Sequence, residues 1–497
     1  MTTSGARRGS RLTTSPDILA HLVLERGTST PLHQQIYEGL RRAILSGALR
    51  PEQRVPSTRI LAIELGVSRL PVLAAYDQLL HEGYLNGRRG SGTFVSAALP
   101  DDLLRSVRGA PRATRTSKAR KKAPPARDDG GHRPFRASVP ALDHFPHALW
   151  SRIVARHART MSGAHMSYGD PAGLGTLRVA IAEHLRTARA VQCEAEQVLI
   201  VSGSQAAVRL CASVLLTHGD RVAIEEPGYP GARIAMQSNG TALVPVPVDD
   251  EGINVDALKR LSARVRAVYV TPSHQFPLGV SMTVARRLAL LDWAERHDAW
   301  VIEDDYDSEF RYVSHPLGAL QGMNAQGRVV YVGTFSKALF PALRVGYLVV
   351  PPSLWTAFME AREAFDVFPS TLYQLALETF LREGHYTRHL RRMRQVYAAR
   401  REALVAGVRE HCGDLLTIHN GDAGLHVATV LREGIDDVAV VRRMAERGMT
   451  ATALSTCYIG AVKRSGLLLG FGGWDTVQIA GATKELGEVL REFAGGV

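Results

Sequence analysis

Lysine is scarce in this chain, with seven residues against 53 arginines among 497. Wherever a plain cation serves, arginine stands, so a retained lysine calls for its own reason: lysine forms an imine and arginine does not. Cysteine is scarcer still, at four. Cys193, Cys211, Cys412 and Cys457 are dispersed, without CxxC or Cys/His spacing, which argues against a disulfide scaffold or zinc module and for reduced thiols in a cytoplasmic protein. Each reads as a small buried hydrophobe. Apolar runs are short: the stretch from Val329 to Val332 falls far below the roughly 20 residues of a bilayer span. The N-terminal MTTSGARRGSRLTTSPD has no signal-peptide core. Neither a membrane partner nor a metal is expected.

What the chain does have is positive charge, unevenly placed. The net charge is +12, yet residues 1–136 hold 23 basic and 11 acidic side chains while residues 137–497 hold 37 of each. A basic module is therefore joined to a neutral body, which argues against a uniformly nucleic-acid-coating protein. A single core rarely exceeds about 250–300 residues, so at least two domains are expected. The pattern divides the chain into a tail (1–30), a compact block (31–97), a Pro/Ala/Arg/Gly-rich linker (98–136) and a large domain (137–497). Between Arg105 and Arg127 the linker carries nine basic residues and no acid, so it repels itself and reads as an extended tether, with or without contact to DNA phosphate.

In the compact block, PLHQQIYEGLRRAILSGAL sets Leu32, Ile36, Leu40, Ile44 and Leu45 on one face of a helix ending at Gly47. A second helix starts behind Ser57, with Ile60, Leu61 and Leu65 inward. A third runs from about Arg69 to His81, with Val72, Ala75, Leu79 and Leu80 inward. GYLNGRRGSGTFV then reads as a hairpin with a basic glycine-rich tip. Three helices and a basic hairpin make a winged helix-turn-helix, whose third helix enters the major groove of double-stranded DNA while the wing reaches minor groove or backbone. Arg59, Ser68 and Arg69 at the helix starts, and Arg88, Arg89 and Gly90 at the wing, are the expected DNA contacts. VPSTRILAIELGVSRLPVLAAYDQL and GRRGSGTFV resemble the GntR family of bacterial regulators. Leu70 and Pro71 stand where that family usually carries a polar residue and a hydroxyl, which puts one base or phosphate contact in doubt.

The large domain alternates short apolar strands (198–201, 221–224, 267–270, 300–302 and 329–332) with amphipathic helices, an α/β pattern with a mainly parallel sheet. Functional residues are expected at the carboxyl ends of such strands. Lys337 follows one, beside Thr334 and Ser336 and seven residues before Arg344: an imine former next to a phosphate clamp. Val201-Ser202-Gly203-Ser204-Gln205 follows a second strand and opens a helix, whose N–H groups can hold a phosphate. A third delivers Glu303-Asp304-Asp305-Tyr306, a carboxylate for a protonated ring nitrogen and a phenol for a ring oxygen. Pyridoxal 5'-phosphate requires this set of partners.

MSYGDPAGLGTLRVAIAEHL, VSGSQAA, EEPGYPGAR, TPSHQFPLG, VIEDDYDSEF and GTFSKALFPALRVGY resemble, in order, the motifs of fold-type I aminotransferases, a large domain with a small C-terminal α+β subdomain. Together with the winged helix the chain resembles the MocR/PdxR/GabR subfamily of GntR regulators. The resemblance implies that Lys337 is the internal aldimine lysine, Asp304 rather than Asp305 the pyridinium partner and Tyr306 the donor to the ring oxygen. It implies a phosphate cup of Ser204, Gln205, Thr334, Ser336 and Arg344, with Tyr229 stacked on the ring. His274 or Gln275 would replace an asparagine near that oxygen, and Tyr168 would approach the cofactor phosphate of the partner subunit in a homodimer.

The same resemblance exposes two gaps. Aminotransferases hold the substrate carboxylate with an arginine in a late RLGF strand; here Leu468 takes its place. Gly231 stands where a GABA-responsive relative carries a second such arginine. Arg233 and Arg464 are the substitutes on offer. The leading expectation is a regulator that senses pyridoxal phosphate or an amine effector; the alternative is a working aminotransferase with an accessory DNA-binding module.

Overall fold

The computed structural model describes residues 22–494 except 26, 28–29, 89, 100–132, 262–263, 313–317, 325–326, 366 and 421–422. The chain forms two compact units, 1–127 and 128–497.

In the first unit, helices α1 (Leu32–Leu45), α2 (Thr58–Glu64) and α3 (Arg69–His81) precede strands β1 (Leu85–Arg88) and β2 (Gly92–Val95). Ser57 caps α2 by accepting the Ile60 N–H at 3.3 Å, satisfying a donor that a helix start leaves open. Ile36, Leu40, Ala43, Ile44, Leu61, Val72, Ala75 and Leu79 form the core with Tyr84, Leu85 and Val95 of the wing. Leu45 does not join it: the residue is 43% exposed and Ala43 takes the inward position, because α1 ends there. Ile60, Leu65 and Leu80 are only half-buried. The wing has a third strand-like edge that the hydrophobic pattern did not show: Val55 donates to Thr93 O at 2.9 Å and Val95 to Gln53 O at 2.9 Å.

The second unit is built on an eight-stranded sheet of β3 (Val198–Val201), β4 (Arg221–Glu226), β5 (Ala242–Asp249), β6 (Gly252–Ile253), β7 (Ala267–Val270), β8 (Trp300–Asp305), β9 (Val329–Thr334) and β10 (Gly346–Val349). Its order is β3-β10-β9-β8-β7-β4-β5-β6. The run β9-β8-β7-β4-β5 is parallel, while β10 lies antiparallel between β3 and β9, and β6 antiparallel to β5. Alternate residues feed two apolar layers: Ile302, Val330, Val332 and Leu348 on one face, Val301, Val329, Tyr331 and Val349 on the other. Burial on both faces explains why these strands read as continuous apolar runs. Beyond the sheet, β11 (Leu416–Asn420), β12 (His426–Leu431), β13 (Thr452–Ala453) and β14 (Leu467–Gly470) form an antiparallel sheet with the helices His385–His411 and Thr476–Ala494, the smaller α+β part. All four cysteines are buried and unpaired. Among the described residues no helix is long and apolar enough to cross a membrane, and no side-chain cluster is suited to a metal.

Candidate functional site

The apolar half of β8 gives way to three consecutive carboxylates, and strand alternation sends them to different places. Glu303 accepts the N–H groups of Leu320 and Gln321, both at 2.8 Å. Asp305 accepts from Arg189 Nε at 2.9 Å and Tyr331 Oη at 2.6 Å, a buried ion pair. Asp304, on the opposite face, looks into a cleft lined by Ser138, Ser204, Tyr229, Tyr269, Thr271, Phe276, Tyr306 and Lys337. Tyr269 Oη donates to its Oδ2 at 2.5 Å, while its Oδ1 is buried without a hydrogen-bond partner. Burial pushes the Asp304 carboxyl up to about 7, opposed by the Tyr269 bond and the Lys337 charge. An orphaned lone pair at that depth is costly unless a donor arrives from outside the chain.

Lys337 lies three residues past Thr334, the last residue of β9. Its Nζ donates to Ser138 O at 3.2 Å. Burial lowers the pKa of the amine, with Asp307 and Asp304 opposing and the Arg136 guanidinium adding to the depression. A lowered amine pKa favours the uncharged, nucleophilic form. Thr334 closes the turn before it, its Oγ1 accepting from Ser336 N at 3.2 Å.

The helix Ser204–Leu215 starts beside the cleft with no side-chain cap. Gly203 at its N-terminus has φ +93°, and a Cβ there would lie 3.3 Å from the Arg344 guanidinium. Arg344 donates to Ser202 O at 2.7 Å. Open N–H groups, a glycine that lets the backbone come close and an arginine alongside make an anion cradle. Gln205 is turned sideways, with Nε2 on Gly231 O at 2.8 Å, so its contribution to that cradle comes from the backbone. Tyr229 stands edge-on to Phe276, ring centres 5.4 Å apart.

Tyr306 Oη meets His274 Nδ1 at 3.0 Å, and the same nitrogen lies 2.9 Å from Asp307 Oδ1. Gln275 is locked into the wall: Nε2 donates to Pro227 O at 2.9 Å, and Oε1 accepts from Leu278 N at 3.0 Å. Both touch residues of the cleft wall: His274 the Tyr306 hydroxyl, and Gln275, through Nε2, the Phe276 carbonyl at 2.6 Å. Sequence reasoning missed Ser138, Tyr269, Thr271 and Phe276. Tyr269 was legible as a polar tip on a strand otherwise buried throughout; Ser138, contributed by its carbonyl, carries no side-chain signal. Tyr168 is not in this cleft; it is 90% exposed.

The two substitutes for the missing carboxylate arginines are occupied elsewhere. Arg233 donates to Tyr458 O at 3.0 Å and Gly228 O at 3.1 Å, and exposed Arg464 sits against His419 at 3.4 Å. The space a side chain at 231 would enter is taken by the Tyr229 ring, 2.5 Å from an added Cβ.

In the first unit, Arg59 is exposed near the start of α2, and Arg69 Nε donates to Thr58 Oγ1 at 3.1 Å, tying the start of α3 to that of α2. Ser68 is the N-cap residue of α3, but its side chain makes no capping bond. Leu70 is 74% exposed on α3. Arg88 is ion-paired with Glu52 and lies 4.7 Å over the Phe94 ring. Gly90 has φ +75°, as a tight wing tip requires. Arg89 lies outside the described residues. Arg54, under the tip against Gly92, was not anticipated.

Comparison with known proteins identifies the family of each part of the chain. The model of bacterial regulatory proteins of the gntR family matches residues 32–95, and that of aminotransferase class I and II matches residues 139–484. The probable rhizopine catabolism regulatory protein MocR of Rhizobium meliloti is 42% identical over 462 residues, covering 91% of this chain and 92% of that protein. The pyridoxine biosynthesis regulator PdxR of Corynebacterium glutamicum is 34% identical, covering 93% and 96%. Among solved structures, α-aminoadipate aminotransferase LysN of Thermus thermophilus, complexed with N-(5'-phosphopyridoxyl)-L-leucine, shares 28% identity and a TM-score of 0.68 over 73% of this chain and 93% of its own. The protein is thus a GntR-type DNA-binding domain fused to an aminotransferase-like domain. Within that class, the chain belongs to the MocR-type regulators.

Proposed function

We propose that this regulator binds pyridoxal 5'-phosphate at Lys337 and adjusts its DNA affinity in response to the cofactor itself or to an amine that competes for it. The observation that carries the reading is the buried, unpartnered Asp304 Oδ1 in one cleft with a lysine of depressed pKa, beside an uncapped helix start. These residues fit the group: a ring N–H would complete Asp304, and a phosphate would complete the cradle. Pyridoxal phosphate supplies an aldehyde that condenses reversibly with primary amines.

The chain's own residues would do the rest. Asp304 holds a proton on the ring nitrogen as its ion-pair partner. Tyr306, backed by His274 and Asp307, donates toward the ring oxygen. Ser204, Ser336, Thr334, Arg344 and the N–H groups at 204–205 bind the phosphate, and Tyr229 covers the ring. Tyr168 and Met166, 90% and 70% exposed beside Phe368 and Leu372, suit a two-fold partner whose cradle Tyr168 would complete. Operator DNA is the partner of the first unit. A ligand alters transcription only through arrangements that differ in DNA affinity, about 1.4 kcal/mol for each factor of ten.

The decisive experiment is borohydride reduction of the full chain with pyridoxal phosphate, followed by peptide mass analysis. Stoichiometric label on Lys337 is expected; label spread over surface lysines would overturn the assignment.

A further inference from the structure

Two leucines stand on the outside of the first unit. Leu70 is 74% and Leu73 39% exposed, and Ala74 is exposed beside them. The buried residues of α3 are Val72, Ala75, Tyr76 and Leu79, which join the core built with α1. With 3.6 residues per turn, residues 70, 73, 74, 77 and 81 fall on the opposite face. The character of that face changes along the helix: Leu70, Leu73 and Ala74 occupy its first half, Asp77 and His81 its second. α3 is therefore apolar on both sides at its start and amphipathic only toward its end.

Cations surround this apolar start. Arg69 precedes Leu70 and donates to Thr58 Oγ1 at 3.1 Å, which brings exposed Arg59, the next residue of α2, to the same end of the unit. Neither α2 nor α3 carries an acid in its first turn. Pro71, at the third position of α3, has no N–H to give the Ser68 hydroxyl, which accounts for the missing cap. An apolar strip inside a positive rim suits a partner with charged edges and an apolar group on its floor. The major groove of DNA is built that way, with phosphates at its margins and thymine methyls among its base edges.

We infer that Leu70 and Leu73 read thymine: their side chains pack on C5-methyl groups in the major groove, so the operator carries thymine beneath the start of α3. The inference rests on operator DNA as the partner of the first unit and says what that unit selects. In a winged helix-turn-helix the N-terminal residues of the third helix are the ones that meet base edges. Leucine has neither donor nor acceptor, and the thymine methyl is the one apolar group that the four base pairs present in the major groove. Leu70 and Leu73 are about 4.5 Å apart along the helix, against roughly 3.4 Å for one base step, so the pair spans neighbouring base pairs. Leucine and proline at 70–71 thus exchange a hydrogen-bonded contact for an apolar one.

The test takes the full chain, with pyridoxal phosphate present, and the duplex that it selects from a random library. Replacing thymine by deoxyuridine, one position at a time, removes the methyl and keeps every hydrogen-bonding group of the base. Fluorescence anisotropy gives the ratio of the two affinities. Wild type is expected to lose about fourfold at one or more positions, the value of one methyl group taken out of water. Leu70→Ala and Leu73→Ala are each expected to bring the ratio close to one at a position that wild type reads. The ratio is internal to each protein, so a smaller folded fraction does not change it. Wild-type indifference to deoxyuridine at every position overturns the inference. So does a ratio unchanged in both variants, which would give the strip to a second copy of the chain or to another protein. A full chain that selects no sequence overturns instead the DNA-reading role beneath it.

Discussion

The two units handle charge in opposite ways. In the second, the carboxylates that end β8 are buried, and each is committed: Asp305 to Arg189 and Tyr331, Glu303 to two backbone N–H groups, Asp304 to Tyr269 and the cleft. In the first, the cations lie at the surface and several fold back on their own domain, Arg88 onto Glu52 and Phe94, Arg69 onto Thr58. A buried charge must find a partner, so position and role are tightly linked. A solvated arginine has several acceptable partners of nearly equal energy, and its role is set only when DNA is present.

The sharpest way to break this contrast is to exchange neighbours on β8. Asp305→Ala removes the carboxylate that pairs with buried Arg189, and should cost about 3–5 kcal/mol of stability, read as a large fall in the thermal midpoint. Asp304→Asn should leave the fold in place and weaken pyridoxal phosphate binding by about 30- to 100-fold, the value of an ionic hydrogen bond. Equal effects on stability would erase the distinction between a structural and a ligand-facing carboxylate.

A smaller effect concerns pH. Burial raises Glu225, Glu303, Asp304 and Glu309 to about 7. Their unfolded values lie near 4, so the folded state holds extra protons between those limits. The stability they contribute is fully present below about pH 4 and is lost as pH rises through about 7. The thermal midpoint of the cofactor-free protein should therefore fall between about pH 5 and 8. The fall should shrink in Asp304→Asn, which has nothing to ionise there. A midpoint that rises over this range contradicts the assignment.

The first unit predicts the smallest change. Glu52→Ala frees Arg88 and removes a negative charge from the wing, so DNA affinity should rise by roughly two- to fivefold, with a slightly steeper salt dependence. Weaker binding in a gel shift would mean that the Glu52 pair holds the wing in its DNA-reading form. Deleting residues 105–127 should have the opposite effect and flatten the salt slope of binding, by about 0.9 for each DNA phosphate that the stretch neutralises; an unchanged slope makes that basic stretch a plain tether.

Much of the second unit was readable before its structure because strand ends concentrate chemistry. Lys337, Asp304, Tyr306, Tyr229 and Ser204 all reach one cleft. The limits of β8 and β9 were not readable: Asp304, Asp305 and Thr334 are the last residues of the strands themselves, since partners supplied from residues 189 and 269 let polar side chains continue a buried strand. Those partners are distant in sequence and leave no local pattern. In the first unit the periodicity located three helices, but the edge at 53–55 escaped because it pairs through backbone alone, around Arg54. The ends of side chains, such as Arg88 on Glu52, are beyond any pattern of residue types.

The central claim is that ligand chemistry at Lys337 changes DNA affinity. It is tested most directly by fluorescence anisotropy of the full chain on DNA from upstream of its own gene, with and without pyridoxal phosphate and a panel of primary amines and amino acids. Wild type should change affinity by tenfold or more, whereas Lys337→Ala should bind the DNA and fail to respond. A Lys337→Ala protein that responds as wild type does, or a wild type whose DNA affinity ignores every such ligand while it turns amino acids into keto acids, would contradict the account.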